Sequence, residues 1–315
     1  MIFGFEVFDF FVFIIISLLI CITLCTLAME ASVLFLPAFL FLFPFIIANF
    51  PDVTPNEAIG LAITIEFFGY TSSVTGYWLR GQVDFRLGMR VLAITVPLAI
   101  IGRLVAYFVP GNGLLLVFGL VLIALAFIIF REYQGEIRHT CLLCGDSLTA
   151  MRYESAEKSA TGAAAATATA DTGKRRRPRF NVAFDTVDRG ILSIGGAFGG
   201  FVGVAIGEIS NTFLSVRKQV PVKVATGTAA LVLHITILSA LATNVFIIYS
   251  DFEIFQAKNI EIPWTIAWIL APVVIIGGQI GSYINSKISD RALIRSLMTA
   301  YVVIGVWVLF NITAM

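Results

Sequence analysis

Apolar runs long enough to cross a lipid bilayer recur along this chain, and they constrain its fold more than any other feature. Phe10 to Ala28, Ala58 to Leu79, Val91 to Val109, Leu114 to Phe130, Val224 to Tyr249, Pro263 to Ile284 and Leu293 to Phe310 are such runs. About 20 apolar residues suffice for a helix to span the hydrocarbon core. In lipid the backbone must satisfy its own hydrogen bonds, so the runs are predicted to be helices. With 58% hydrophobic residues, 13% charged residues and a mean hydropathy of +0.94, the chain is too apolar for a soluble domain. A multi-pass protein of the cell membrane is predicted. Met1 to Phe8 hold an acid and no Lys or Arg, so the first run lacks the basic start of a cleavable signal and is expected to be retained.

Charge between the runs sets their direction, because Lys and Arg concentrate in cytoplasmic connections. Arg80, Arg86 and Arg90 crowd one connection, predicted to be cytoplasmic. Phe50 to Glu57 carries acids and no basic residue and is predicted to lie outside, like the acidic stretch Asp251 to Glu261. The chain then divides into a first transmembrane repeat (1–130), a cytoplasmic, largely disordered linker (131–188) and a second transmembrane repeat (189–315). The linker's AEKSATGAAAATATADTG run has too few large apolar groups to build a core. Its basic cluster, Lys174, Arg175, Arg176, Arg177 and Arg179, suits contact with anionic membrane lipid. No nucleic-acid partner is expected of a chain with a net charge of +1.

One stretch breaks the pattern of plain spans. In GGAFGGFVGVAIGEISNTFLSVRKQVPVKVATGT, Gly195, Gly199, Gly203 and Gly207 recur every fourth residue, giving a stripe without side chains against which another backbone can pack. The stripe ends at Glu208, and Ser210 and Asn211 favour a helix start there. About a dozen residues separate Glu208 from Arg217, Lys218 and Lys223, roughly 18 Å of helix, so a re-entrant hairpin is predicted in place of a crossing. In the first half, Glu30 similarly precedes Ala31 to Asn49, a run interrupted by Pro37 and Pro44.

The two halves match in sequence. Met29-Glu30-Ala31-Ser32 parallels Gly207-Glu208-Ile209-Ser210, Ala58-Ile59-Gly60-Leu61-Ala62 parallels Ala225-Thr226-Gly227-Thr228-Ala229, and Pro97 to Gly102 parallels Pro272 to Gly277. Opposite charge asymmetry makes the copies inverted. The predicted fold is an all-α polytopic membrane protein, with two inverted structural repeats whose interrupted or re-entrant helices meet near the midplane. That architecture is characteristic of secondary transporters.

Three features carry a family resemblance: Val220-Pro221-Val222-Lys223-Val224-Ala225-Thr226-Gly227-Thr228 after the glycine-rich break, Arg80-Gly81-Gln82-Val83-Asp84-Phe85, and the paired proline and glycine runs. On these the chain resembles the sulfite exporter TauE/SafE family of membrane permeases over both halves. The resemblance implies a secondary transporter, an exporter of small anions such as sulfite, organosulfonates or related organic anions. The family's break is richer in glycine where this chain has Glu30 and Glu208. Its first half also has Ile59 and Leu61 where the second has Thr226 and Thr228.

Polar residues inside the runs are the candidate site, since each is costly in lipid. Ser32, Ser210, Asn211, Thr226, Thr228, Arg103 and Gln279 are candidate substrate-binding residues. Half-helix N–H groups and hydroxyls would meet the anion, and a guanidinium can hold an oxyanion by two parallel hydrogen bonds. Glu30, Glu208, Glu66 and His234 are candidate coupling residues, because a carboxylate beside an anion needs a proton or a cation, and histidine titrates near neutrality. Glu66 and Arg103 fit equally well as an interhelical packing pair, and His234 as a hydrogen-bonded core residue. A cation/proton antiporter is the alternative function, with Glu30, Glu208, Ser210 and Asn211 as oxygen ligands. No enzyme is expected, since there is no H-E-x-x-H and no Ser/His pairing at helical spacing, and no cofactor is expected. Cys21 and Cys25 read as packing. His139, Cys141 and Cys144 form half of a zinc knuckle without a second pair, so no metal is expected. No oligomeric state is assigned.

Overall fold

The computed structural model describes residues 6–27, 29–47, 50–143, 180, 182–218, 220–250, 262–285, 288 and 290–314. Among the described residues the chain is all-helical, with no strand. The elements are α1 (Val7–Leu27), α2 (Ala31–Pro37), α3 (Phe43–Ile46), α4 (Pro55–Leu79), α5 (Phe85–Ala106), α6 (Gly111–Leu143), α7 (Thr186–Val202), α8 (Ile206–Thr212), α9 (Val222–Tyr249), α10 (Trp264–Asn285) and α11 (Asp290–Ala314). Two π-helical turns, Ala38–Leu42 and Phe213–Arg217, follow α2 and α8 directly.

Six segments among the described residues are long and apolar enough to cross a membrane: Val7–Leu27, Phe85–Ala106, Gly111–Arg131, Val224–Tyr249, Trp264–Gly281 and Arg295–Ile312. Helix α4 has 25 residues, roughly 37 Å, but carries Glu66 and a polar stretch with Thr71, Ser72, Ser73 and Thr75. The segment Ala31–Ile46 is apolar and shorter. Helix α6 continues to Leu143, so the first part of the tract expected to be linker is helical. Residues 144–179, with Cys144 and the basic cluster, lie outside the described residues, as does the acidic stretch 251–261.

The spans pack in reciprocal pairs: α5 on α7, α1 on α10, α6 on α11, α9 on α5 and α10 on α4. Small residues set the closest of these approaches, as expected where lipid gives no hydrophobic drive between helices. A Cβ at Gly196 would stand 2.6 Å from the Thr95 carbonyl oxygen, one at Gly200 would run into that of Ala99, and one at Gly102 into that of Ala197. The stripe that admits a neighbouring backbone is therefore Gly196 and Gly200, facing α5. Gly195 and Gly199 instead face the side chains of Ile209 and Ile206 in α8.

Each end of the bundle has its own polar fastening. At one end, Thr54 caps α4, its N–H donating to Glu57 Oε2 at 2.8 Å, and Pro55 takes the first helical position, where a missing N–H is harmless. At the other, Asp84 caps α5, accepting from Arg86 and Leu87 N–H at 3.0 and 3.1 Å and from Phe180 N–H at 2.6 Å. Arg90 donates to the Val182 carbonyl there at 3.0 Å. Arg217 Nε and Lys218 Nζ both reach Asp188, at 2.5 Å. Burial alone would raise the Asp188 carboxyl, but Lys218, the Asp185 N–H and Arg217 hold it down at about 2.

Candidate functional site

Two breaks in the helical spans build the centre. Helix α1 ends at Leu27, and Glu30, extended at φ −67° and ψ 143°, opens the seven-residue α2. Helix α7 ends at Val202. Gly203 follows in the left-handed region at φ 75°, a common way to end a helix, and Ala205 at φ 88° opens the seven-residue α8. A left-handed alanine costs roughly 1–2 kcal/mol, so the surrounding contacts must hold it. The second half-helix thus begins at Ile206, ahead of the start expected beside Ser210 and Asn211. Those two residues lie inside α8, and Glu208 lies in its first turn.

The contact that holds Ala205 comes from the other break. Glu30 accepts the Ala205 N–H on Oε2, and the Gly207 N–H on Oε1 at 2.5 Å. A carboxylate from the first half of the chain therefore satisfies free N–H groups at the start of α8, where the helix dipole favours negative charge. Glu66, from α4, lies beside the Ala31 and Ser32 N–H groups at the start of α2, with neither oxygen in hydrogen-bonding geometry. Glu208 accepts from the Tyr301 hydroxyl on Oε1, while its Oε2 is buried without a partner. The three acids are close enough to feel one another's charge, and Tyr70 lies within the same field. Ser32 Oγ is buried without a partner and would stand 2.5 Å from a Cβ on Gly203. Beside Glu66 and Tyr70 is a cavity of about 20 Å³, lined also by Cys21, Cys25 and Met29, with room for one water.

Other expected site residues lie elsewhere. Thr228 Oγ1 accepts the Asp84 N–H at 3.0 Å, tying α9 to the start of α5 at the arginine-rich end. Thr226 donates to Asn211 Oδ1 at 3.2 Å, and Ser210 Oγ is buried without a partner. Gln279 donates to Ser72 Oγ. His234 stacks on Phe67 with ring centroids 5.1 Å apart, and its Nδ1 has no partner. Cys21 and Cys25 meet Gly277 and Gly281 of α10.

Arg103 does not pair with Glu66. It lies near the end of α5, donating to Asn244 Oδ1 and to the Asn56 carbonyl. Asn56 precedes Glu66 by ten residues of α4, roughly 15 Å. Tyr301, Tyr70, Ala205 and Asn244 are absent from the sequence-based set. Asn244, in the apolar Ala242-Thr243-Asn244-Val245-Phe246, carries the same signal that selected the others, a polar side chain inside a span.

Comparison with known proteins places the chain in context. A family model described as "Sulfite exporter TauE/SafE" matches residues 13–308. A protein of Bacillus subtilis (strain 168), described as "Probable membrane transporter protein YunE", is 22% identical over 271 residues, 83% of this chain and 84% of that one. No solved structure matches this chain.

Proposed function

Given that this chain belongs to the sulfite exporter TauE/SafE family of membrane transporters, we propose that it is a secondary transporter exporting small anions such as sulfite, organosulfonates or related organic anions, coupled to protons or a cation through Glu30, Glu66 and Glu208. The observation that carries this reading is Glu30 on the N–H groups of Ala205 and Gly207. Helix N-termini are ready anion sites, and here a carboxylate of the protein occupies one. A substrate oxyanion would compete for the same two donors. Glu30 would yield them on taking a proton, since a displaced ionised carboxylate in low dielectric beside an anion is unstable. Loading the anion then requires loading a proton, and Ser32 and Ser210, each with an unpartnered hydroxyl, stand ready as further ligands.

The same reading takes the halves as inverted repeats with the centre between them. In its support, α2 and α8 have seven residues each and each leads into a five-residue π-helical turn. Prolines lie inside both α5 and α10, at Pro97 and Pro272. The packing pairs α5 with α7 and α1 with α10 exchange corresponding elements of the two halves. The arginine-rich end is cytoplasmic on this reading, with the linker and its lipid-binding basic cluster on the same side of the cell membrane.

Tracer sulfite flux in proteoliposomes tests it. Flux should depend on the pH gradient in the wild type and lose that dependence in Glu30→Gln. Sulfite flux indifferent to both would end the coupling proposal. A cation/proton antiporter remains the second reading, favoured by three buried acids, Glu30, Glu66 and Glu208, within reach of one another's charge, although among the described residues they do not converge as a ready cage for a metal ion. Sodium or potassium flux without any permeant anion would establish it instead.

A further inference from the structure

Three sulfur side chains, Cys21, Cys25 and Met29, line one cavity. The two cysteines lie a turn apart on one face of α1, and the Met29 N–H, donating to the Leu24 carbonyl at 2.9 Å, winds the chain on past the end of that helix. Cys21 and Met29 are buried, and the two thiols are close enough to interact with each other. The Cys21 thiol donates weakly to the Val274 carbonyl at 3.4 Å. Helix α10 seats both thiols from the far side through glycines. A Cβ at Gly277 would stand 2.8 Å from Cys21 Sγ, and one at Gly278 would stand 3.8 Å from Cys25 Sγ.

Close packing on α10 accounts for small residues at positions 21 and 25, but not for what shares the cavity with them. Glu66 lines it too, is 1% exposed, and has no hydrogen-bond partner on either carboxyl oxygen. A buried carboxyl in that state calls for a proton or a cation. The cavity measures about 20 Å³, enough for one water or a single ion, and most of its remaining wall is apolar. Hard cations such as Mg²⁺ and Ca²⁺ need a shell of several oxygens, whereas thiolate and thioether sulfurs select Cu(I).

We propose that Cys21, Cys25 and Met29 form a binding site for one soft monovalent metal ion of the Cu(I) class, beside Glu66. The ion arrives as Cu(I), so no electron moves. One S–H bond breaks and one Cu–S bond forms, the proton leaves to solvent, and the second thiol and the Met29 thioether bind as neutral donors. Exchanging one proton for one monovalent ion keeps the net charge of the site unchanged, which spares the interior an uncompensated charge. The site does not rest on the anion-coupling reading: metal retention is measured without flux, so either can fail while the other stands.

The test is anaerobic titration of the full-length protein in detergent with Cu(I), in competition with the coloured chelator bicinchoninate. The chain has four cysteines, so Cys141→Ser/Cys144→Ser serves as the parent and isolates the pair in α1. The parent should withdraw one equivalent of Cu(I) from the chelator, and copper X-ray absorption should show sulfur neighbours. Adding Cys21→Ser/Cys25→Ser should abolish retention. Met29→Leu, which conserves volume and so preserves the fold, should weaken binding about tenfold or more. A parent that withdraws no Cu(I), a copper shell of nitrogen and oxygen alone, or retention undiminished in Cys21→Ser/Cys25→Ser or in Met29→Leu overturns the proposal.

Discussion

Glu30, at the first helix break, accepts the backbone N–H of Ala205, at the second. One side chain thereby joins the two points where the spans are interrupted, and it does so at a residue whose left-handed backbone needs outside support. Glu66 stands in a related position at the start of α2, so carboxyl groups attend both half-helix N-termini.

The Tyr301–Glu208 contact predicts a split between fold and coupling. Tyr301→Phe leaves the buried Glu208 carboxyl without its donor and should lower stability by about 1–3 kcal/mol. Glu208→Gln keeps volume and hydrogen bonding, so it should fold normally while the dependence of flux on a pH or cation gradient weakens or disappears. Unchanged gradient dependence in Glu208→Gln would return Glu208 to a structural role.

Two glycines of α7 should respond in opposite senses to the same change. Gly200→Ala drives a methyl into the Ala99 carbonyl of α5 and should destabilise by about 2 kcal/mol or more. Gly190→Ala meets nothing within 4 Å and should gain roughly 0.5–1 kcal/mol from lower unfolded-state entropy. Unfolding midpoints of the purified variants decide it.

Asp188 should make stability fall in acid. Its carboxyl is held at about 2, below the ordinary 3.8, so the stabilisation is complete above about pH 4 and is lost as pH drops through 2. Asp188→Asn, which frees Arg217 and Lys218, should lower stability by about 1–2 kcal/mol at pH 7, with a gap to wild type that narrows as the pH approaches 2. A pH-independent gap would contradict the ion-pair origin.

For the linker, deletion of Ser155 to Thr172 should change stability by less than about 1 kcal/mol and leave flux intact, because loop length enters the closure entropy only logarithmically. A cysteine introduced at Ala165 should resist an impermeant thiol reagent applied to intact cells. Labelling from outside would invert the assigned topology.

Much of the fold was legible in the sequence because lipid imposes so strict a rule: apolar runs must be helices, and polar residues within them are conspicuous. Glu30, Glu66 and Glu208 could be singled out on charge alone, and the structure brings them together. The second break was harder to place, because Ala205 carries no signature of its left-handed backbone and is held by Glu30, far away in sequence. Gly195 and Gly199 run parallel to Gly196 and Gly200 on one helix, and periodicity cannot tell which stripe meets a backbone. Thr228, read as a ligand for its hydroxyl, uses that hydroxyl on Asp84 N–H at a polar end. Tyr301 carries no charge and passes for an ordinary aromatic in an apolar run. Asn244 stabilises a charge from another helix, a pairing visible only in three dimensions.

Helix α6 has one further consequence. Its 33 residues measure roughly 50 Å against a hydrocarbon core of about 30 Å, and its apolar part ends at Arg131. Beyond Arg131 the same helix continues for roughly 18 Å to Leu143, and farther along the chain the Phe180 N–H is tied to Asp84 at the start of α5. Asp84 therefore couples the cap of α5 to the chain that leads into α7, so a displacement of Phe180 would be felt at the start of α5.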